Sequence, residues 1–238
     1  MHLAKQPPTE RRTYGLRRAS ILAALLNAVL LLIAVGAIAW EAIGRFAQPA
    51  AVSAPTVVAV AAAGVVVNAV TALLFWSGRN TDLNIRGAFL HMAADAGVSL
   101  GVVVAGVAID VTRWVWLDPA ISLLIAAVVA AGTLGLLRRS VDLALDAVPE
   151  GVDLPGVRSF LGALPGVIAI HDLHVWAMST TETALTVHLV KLDGDIDDDP
   201  LARVAQELHD QFSIEHSTIQ VETGRATRPC RRSADDIV

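Results

Sequence analysis

Two side chains that can bind a metal ion lie inside an apolar stretch of the sequence. His91 and Asp95 are four residues apart within Gly87 to Ile109, a segment that is otherwise almost entirely apolar. On a helix this spacing places both side chains on one face. An imidazole and a carboxylate are ligands that a borderline divalent cation such as Zn²⁺ accepts, and Zn²⁺ takes about four of them. The pair therefore predicts half of a zinc site, and two more ligands must come from elsewhere.

The position of this pair indicates ion transport. A charged side chain near the middle of a bilayer costs roughly 3 kcal/mol or more, so such residues usually face a polar cavity or a partner. The alternative to a metal site is that His91 and Asp95 form a buried hydrogen-bonded pair that holds helices together.

A second set of potential ligands lies in the last third of the chain, on predicted strands or at their edges. Its members are His171, His188, His216 and Glu222, with Cys230 just beyond them. Nitrogen, oxygen and sulfur groups of these types can bind zinc.

The composition indicates a membrane protein with a polar C-terminal extension. Hydrophobic residues make up 54% of the 238 residues, charged residues only 17%, and the mean hydropathy is +0.57. Such a chain is too apolar for an ordinary soluble domain. The charge pattern suggests no nucleic-acid partner. We expect no enzyme, because the sequence has no HExxH motif, nucleophile elbow or phosphate-binding loop.

Four apolar runs of about twenty residues predict four transmembrane helices, since each can cross a hydrocarbon core of about 30 Å. They are Ala19 to Trp40, Pro55 to Ser77, Gly87 to Ile109 and Leu117 to Leu137, within a transmembrane domain of residues 19–140. Lys and Arg flank these runs mainly on one side, at Lys5, Arg11, Arg12, Arg17, Arg18, Arg79, Arg86, Arg138 and Arg139. The opposite loops carry only Arg45 and Arg113. The positive-inside rule therefore predicts that both termini are cytosolic.

Residues 148–224 have the pattern of a small α+β domain. A short helix precedes two β-branched, partly alternating segments, and an amphipathic helix precedes a third such segment. The predicted order is αββαβ, with the helices on one face of a small open sheet. Residues 1–18 are expected to be a cytosolic N-terminal segment, and residues 225–238 a flexible tail.

Four segments, in order, resemble the cation diffusion facilitator family, and specifically its zinc-exporting branch. They are RTYGLRRASILAALLNAVLLL from Arg12, LNIRGAFLHMAADAGVSLGVVVAG from Leu83, WLDPAISLLIA from Trp116 and HDLHVWAM from His171. The resemblance covers nearly the whole chain. It implies a homodimer whose subunits have six transmembrane helices and a cytosolic αββαβ domain, and which exchanges Zn²⁺ for protons.

The resemblance also implies roles for the candidate ligands. His91 and Asp95 match half of the family's transport site, which favours metal binding over a structural pair. His171, His188, His216 and Glu222 match positions of a cytosolic metal site, to which a cysteine near the chain end can be added. The first span matches the family's third helix, so the two helices before it, which carry the other transport ligands, have no counterpart here, and residues 1–18 match the loop that follows them.

Two functional hypotheses follow from the sequence. The first is a proton-coupled zinc exporter, expected to be truncated, that can also carry Cd²⁺ or Co²⁺. The second is a non-transporting subunit that dimerises through its cytosolic domain and regulates or senses zinc. For either, the composition rich in Ala and Val suggests a bacterial inner membrane.

Overall fold

The computed structural model describes residues 7–48, 54–77, 83–192 and 198–223. Cys230, the predicted tail of residues 225–238 and the first six residues lie outside these ranges. The chain divides into two compact units, one of Leu30–Leu134 and one that combines Met1–Val29 with Gly135–Val238.

Four long helices form the first part of the chain. They are α1 (Ala19–Ala47), α2 (Ala54–Phe75), α3 (Leu83–Thr112) and α4 (Leu117–Ala144). All four are long and apolar enough to cross a membrane, which confirms the predicted number of spans. Helices α1, α3 and α4 are longer than the predicted apolar runs, whereas α2 ends two residues before its run does. The 29 residues of α1 extend about 44 Å at 1.5 Å per residue.

Large apolar side chains on all four helices are exposed. Examples are Leu26 on α1, Leu74 on α2, Val104 on α3 and Leu124 on α4. A soluble protein rarely exposes apolar surface this continuous, whereas a helix in lipid is apolar all round. In the connection between α3 and α4, the rings of Trp114 and Trp116 stack with centroids 6.0 Å apart, and Trp is enriched at membrane boundaries.

Helices α2 and α3 approach each other closely at Gly106. A Cβ atom built on Gly106 would lie 2.6 Å from Cγ2 of Val58 on α2. The same construction on Gly97 or Gly101 of α3 meets nothing within 4 Å. Of these three glycines, Gly106 is the one whose missing side chain permits the packing of the two helices.

Replacing Gly106 by Ala should lower the stability of the transmembrane helices by about 1–3 kcal/mol, because the added methyl group must displace Val58 or separate α2 from α3. Thermal unfolding of the purified protein in detergent measures the effect. Gly101→Ala is the matched control and should not lower the unfolding temperature. Equal unfolding temperatures for both variants would contradict the packing role of Gly106.

The C-terminal elements form the predicted αββαβ order. They are α5 (Leu154–Gly162), β1 (Val167–Ala177), β2 (Thr183–Lys191), α6 (Asp198–Phe212) and β3 (His216–Thr223). The strands lie side by side in sequence order, with β1 antiparallel to β2 and β3 parallel to β2. A parallel pair needs a crossover connection, and α6 lies in it. The predicted fold class, four membrane-spanning helices followed by an α+β domain, is confirmed.

One face of the sheet is covered by helices. Val157 and Leu161 of α5 and Val204 and Leu208 of α6 are buried in a single apolar core. The strands contribute alternate residues to this core, among them Leu185, Val187 and Leu189 of β2, as expected when one face of a strand is buried. The residues between them, including His188, therefore lie on the helix-free face.

The segment that precedes α1 contacts the sheet domain within the same unit. The ring of Tyr14 lies edge-on against His216, and Arg17 donates a 2.9 Å hydrogen bond to Glu182. The hydroxyl of Ser20, at the start of α1, accepts a bond from the backbone N–H of Thr180. These contacts attach the beginning of α1 to the loop and strand ends of the domain.

Candidate metal centres

An irregularity in β1 sets the direction of the histidines in the HDLH sequence. The pairing with β2 shifts register between His171 and His174, and Asp172 has a positive φ of 54°. A bulge adds one residue to a strand, so residues three apart can lie on the same face. Ile170 and Leu173 thus both join the core, while His171 lies on the helix-free face.

Three potential ligands meet on this face, one from each strand. His171 of β1 and His188 of β2 are directly paired, with ring centroids 4.9 Å apart. Glu222 of β3 reaches both, with Oε2 3.3 Å from Nε2 of His171 and Oε1 2.7 Å from Nδ1 of His188. One ligand atom from each of the three residues lies within 4.8 Å of the others.

The donor set of this triad fits a zinc ion. Two imidazole nitrogens and a carboxylate oxygen are zinc ligands, and two ligands of one ion lie at most about 4 Å apart, so small rotations suffice. Nδ1 of His171 is buried and has no hydrogen-bond partner in the described residues. The triad leaves the fourth ligand of a tetrahedral site to water or to another group.

Asp172 is a supporting residue that the sequence did not reveal. Its Oδ2 lies 3.6 Å from Nε2 of His188, and its Oδ1 is 3.0 Å from Nε2 of His174. A carboxylate on the far nitrogen of a histidine fixes the ring orientation and raises its basicity as a ligand. The sequence does show an acidic residue within a β-branched segment, but the direction of the Asp172 side chain depends on the bulge.

The electrostatic environment keeps the Glu222 carboxylate charged. Burial alone would raise the pKa of Glu222, but hydrogen bonds from His188 and His171, and their positive charge when protonated, outweigh it. The pKa of Glu222 therefore lies below its usual value. At neutral pH the triad offers an anionic oxygen to a cation.

His216 lies away from this triad, contrary to the expectation from the resemblance. It begins β3, and Glu222 is six residues further along the same strand, about 20 Å at 3.3 Å per residue. Two ligands of one ion cannot be so far apart within one chain. The His216 ring instead packs against Tyr14, with centroids 5.6 Å apart and an interplanar angle of 87°.

His91 and Asp95 lie on one face of α3, as their spacing predicts. Nε2 of His91 is 3.6 Å from Oδ2 of Asp95. The two side chains are 72% and 44% exposed, so the other described helices leave them largely uncovered. Ligand atoms this close can hold one ion, and their exposed side is open to further ligands.

Comparisons with known proteins agree with this arrangement of helices and sheet. Residues 1–143 match a family model described as the cation efflux transmembrane domain. Residues 149–224 match a second model, ZT_dimer, described as the cytoplasmic domain of cation efflux proteins.

Three curated relatives are similar over nearly all of the chain. The metal cation efflux system protein CzcD of Cupriavidus metallidurans is 36% identical, over 97% of this chain and 72% of its own. Zinc transporter ZitB of Escherichia coli is 34% identical, over 93% and 71%. The cadmium, cobalt and zinc/H(+)-K(+) antiporter of Bacillus subtilis is 32% identical, over 93% and 72%.

A solved structure, the metal-bound C-terminal domain of the CzcD transporter, is 42% identical and covers 30% of this chain and 99% of that one, with a TM-score of 0.27. The transmembrane model matches more than half of the chain, and the relatives exceed 30% identity. The chain therefore belongs to the cation diffusion facilitator family, whose members are metal cation efflux transporters and not enzymes.

Proposed function

We propose that the protein exports Zn²⁺ from the cytosol in exchange for protons, with His91 and Asp95 as ligands of the transported ion. One observation carries this proposal: an imidazole nitrogen and a carboxylate oxygen lie 3.6 Å apart within an apolar helix that is long enough to cross a membrane. Ionisable residues at such positions mark ion pathways.

The remaining ligands must approach the exposed side of this pair. Zn²⁺ is usually held by four groups, and the 72% exposed His91 and 44% exposed Asp95 supply two. Polar groups from a partner subunit, or from protein outside the described residues, complete the site in this proposal. They would also remove the cost of leaving two ionisable side chains against lipid.

The orientation in the membrane follows from the distribution of basic residues. With Arg17 and Arg18 before α1, and Arg138 and Arg139 near the end of α4, both termini lie in the cytosol. The sheet domain is then cytosolic, and the ends of α1 and α3 with the start of α4 lie on the opposite side. We place the protein in a bacterial inner membrane.

Proton exchange follows from the chemistry of the ligands. A histidine must be neutral to bind a metal ion, so a proton and the metal ion compete for the same nitrogen of His91. When the site opens alternately to the two sides, zinc leaves the cytosol in one direction and protons return in the other.

Zinc is the preferred ion of this proposal. Imidazole suits zinc better than it suits manganese, although affinity order alone does not decide selectivity in a cell. The E. coli relative is named a zinc transporter, and the B. subtilis relative a cadmium, cobalt and zinc antiporter. Cd²⁺ and Co²⁺ are therefore the alternative cargoes.

We further propose that the sheet domain binds zinc at His171, His188 and Glu222 and joins two copies of the chain. The donor atoms and their mutual distances support the metal site. The name of the matched ZT_dimer model supports a homodimer.

The proposal is tested by uptake of radioactive Zn²⁺ into proteoliposomes that contain the purified 238-residue chain. Uptake should exceed that of empty vesicles and should rise when the vesicle interior is more acidic. Uptake that exceeds that of empty vesicles but does not change with the pH gradient would contradict proton coupling and still support zinc transport. Uptake equal to that of empty vesicles, with zinc binding retained, would favour the non-transporting regulatory subunit.

A further inference from the structure

The least exposed arginine–carboxylate pair among the described residues lies within the transmembrane unit. Nη1 of Arg45 donates a 2.6 Å hydrogen bond to Oδ2 of Asp118, and the side chains are 23% and 15% exposed. A second arginine–aspartate pair at the same end of the helices, Arg113 with Asp110, is 83% and 58% exposed, with a separation of 3.6 Å. Its greater exposure makes it a control for the partly buried pair of Arg45 and Asp118.

The guanidinium group of Arg45 is incompletely satisfied. Its Nε is buried without a hydrogen-bond partner in the described residues, and its Nη2 is 3.2 Å from Oε1 of Glu41, one turn earlier on α1. A buried donor without a partner costs free energy. The carboxylate of Glu41, on the same helix, can hold the guanidinium group when it leaves Asp118.

Each charge of the pair also suits the helix end that carries it. Arg45 lies in the last turn of α1, where a cation is favoured, and Asp118 lies in the first turn of α4, where an anion is favoured. Both charges are thus stabilised in part without the ion pair. Separation of the two side chains costs less than it would for an isolated buried pair.

A cavity of about 260 Å³ adjoins the pair. All four helices line it, with Arg45, Asp118 and Ser122 as polar members and Val57, Val102 and Gly106 among the apolar ones. Val102 is seven residues beyond Asp95 on α3, about 10 Å along the helix axis. In the proposed orientation, the cavity lies between the transport ligands and the non-cytosolic side.

We propose that Asp118 forms a weak binding site for the exported divalent cation on its release path, and that Arg45 occupies this site as a tethered cation until the ion arrives. The direction of release rests on the proposed function; the cation site itself does not. The carboxylate of Asp118 and the hydroxyl oxygen of Ser122 are harder ligands than the imidazole and carboxylate of the transport pair, so a borderline ion such as Zn²⁺ is held briefly. Return of Arg45 to Asp118 then opposes re-entry of the ion.

Zinc binding to purified protein in detergent tests this site without a need for transport. Every variant carries His91→Ala and Glu222→Gln, so that the two other proposed zinc sites contribute little. In this background the Arg45→Gln variant should bind one more zinc ion per chain than the protein that retains Arg45, because the competing guanidinium cation is gone. The additional ion should disappear again in the Arg45→Gln, Asp118→Asn double variant.

Two controls separate this effect from a general disturbance of the helices. Arg113→Gln removes the exposed arginine at the same end and should leave the zinc count unchanged. Arg45→Met replaces the guanidinium by an apolar chain and should gain the same ion as Arg45→Gln. It serves as the second test if the Arg45→Gln variant does not fold. A gain that persists without the Asp118 carboxylate, or no gain in either variant, would overturn the proposal.

Discussion

Replacement of His91 by Ala should abolish pH-driven zinc uptake into proteoliposomes. His91 supplies one of the two ligand atoms that the described helices bring to the proposed transport site. Loss of groups that only support a ligand lowers metal affinity by about 10- to 100-fold, so loss of the ligand itself should lower uptake at least about 100-fold. Asp95→Asn should have a similar effect, because an amide is a poor ligand for zinc.

A matched control for this variant lies in the other unit of the chain. His209 is an exposed histidine on α6, outside the triad of His171, His188 and Glu222. His209→Ala should keep full uptake, and both variants should remain in the membrane at equal amounts. Full uptake by His91→Ala would show that His91 has no part in transport, and the pair with Asp95 would then be structural.

Replacement of Glu222 by Gln should weaken zinc binding at the sheet domain by about 100-fold or more. Glu222 contacts both histidines and is the anionic member of the triad, and the amide keeps the shape but not the charge. Equilibrium dialysis of the full chain with His91→Ala, which removes one transport ligand, measures this site. The expected result is a large rise in the dissociation constant with an unchanged fold.

Two further variants show whether the geometry of the triad is right. Glu207→Gln changes an exposed glutamate on α6 and should leave zinc affinity unchanged. His216→Ala should also leave it unchanged, because six strand residues separate His216 from Glu222. A loss of affinity in His216→Ala as large as that in Glu222→Gln would instead support the four-ligand set that the family resemblance implies.

The sequence predicts the elements of the fold well because each has a local signal. Twenty apolar residues in a row can satisfy their backbone in lipid only as a helix, and the four runs became α1 to α4. The alternation in β2 places Leu185, Val187 and Leu189 on the buried face. Asp153 caps α5 by accepting a hydrogen bond from the N–H of Gly156, with Pro155 in the first turn.

The geometry of the sites depends on pairings that a sequence does not display. The bulge at Asp172 decides which side chains of β1 share the face of His188, and it arises from the register with β2. The separation of His216 from Glu222 follows from their common strand, yet the family resemblance places both at one ion. Arg45 and Asp118 are 73 residues apart, and their pairing appears only once the helices are assembled.

The order of the strands also has a consequence for biosynthesis. The β1–β2 hairpin can form as soon as it leaves the ribosome, because its strands are adjacent in the chain and antiparallel. Glu222 is synthesised later, on β3. This strand can pair with β2 only after α6 has formed the crossover between them. A nascent chain therefore presents His171 and His188 without Glu222, and the triad is complete only after β3 has paired with β2.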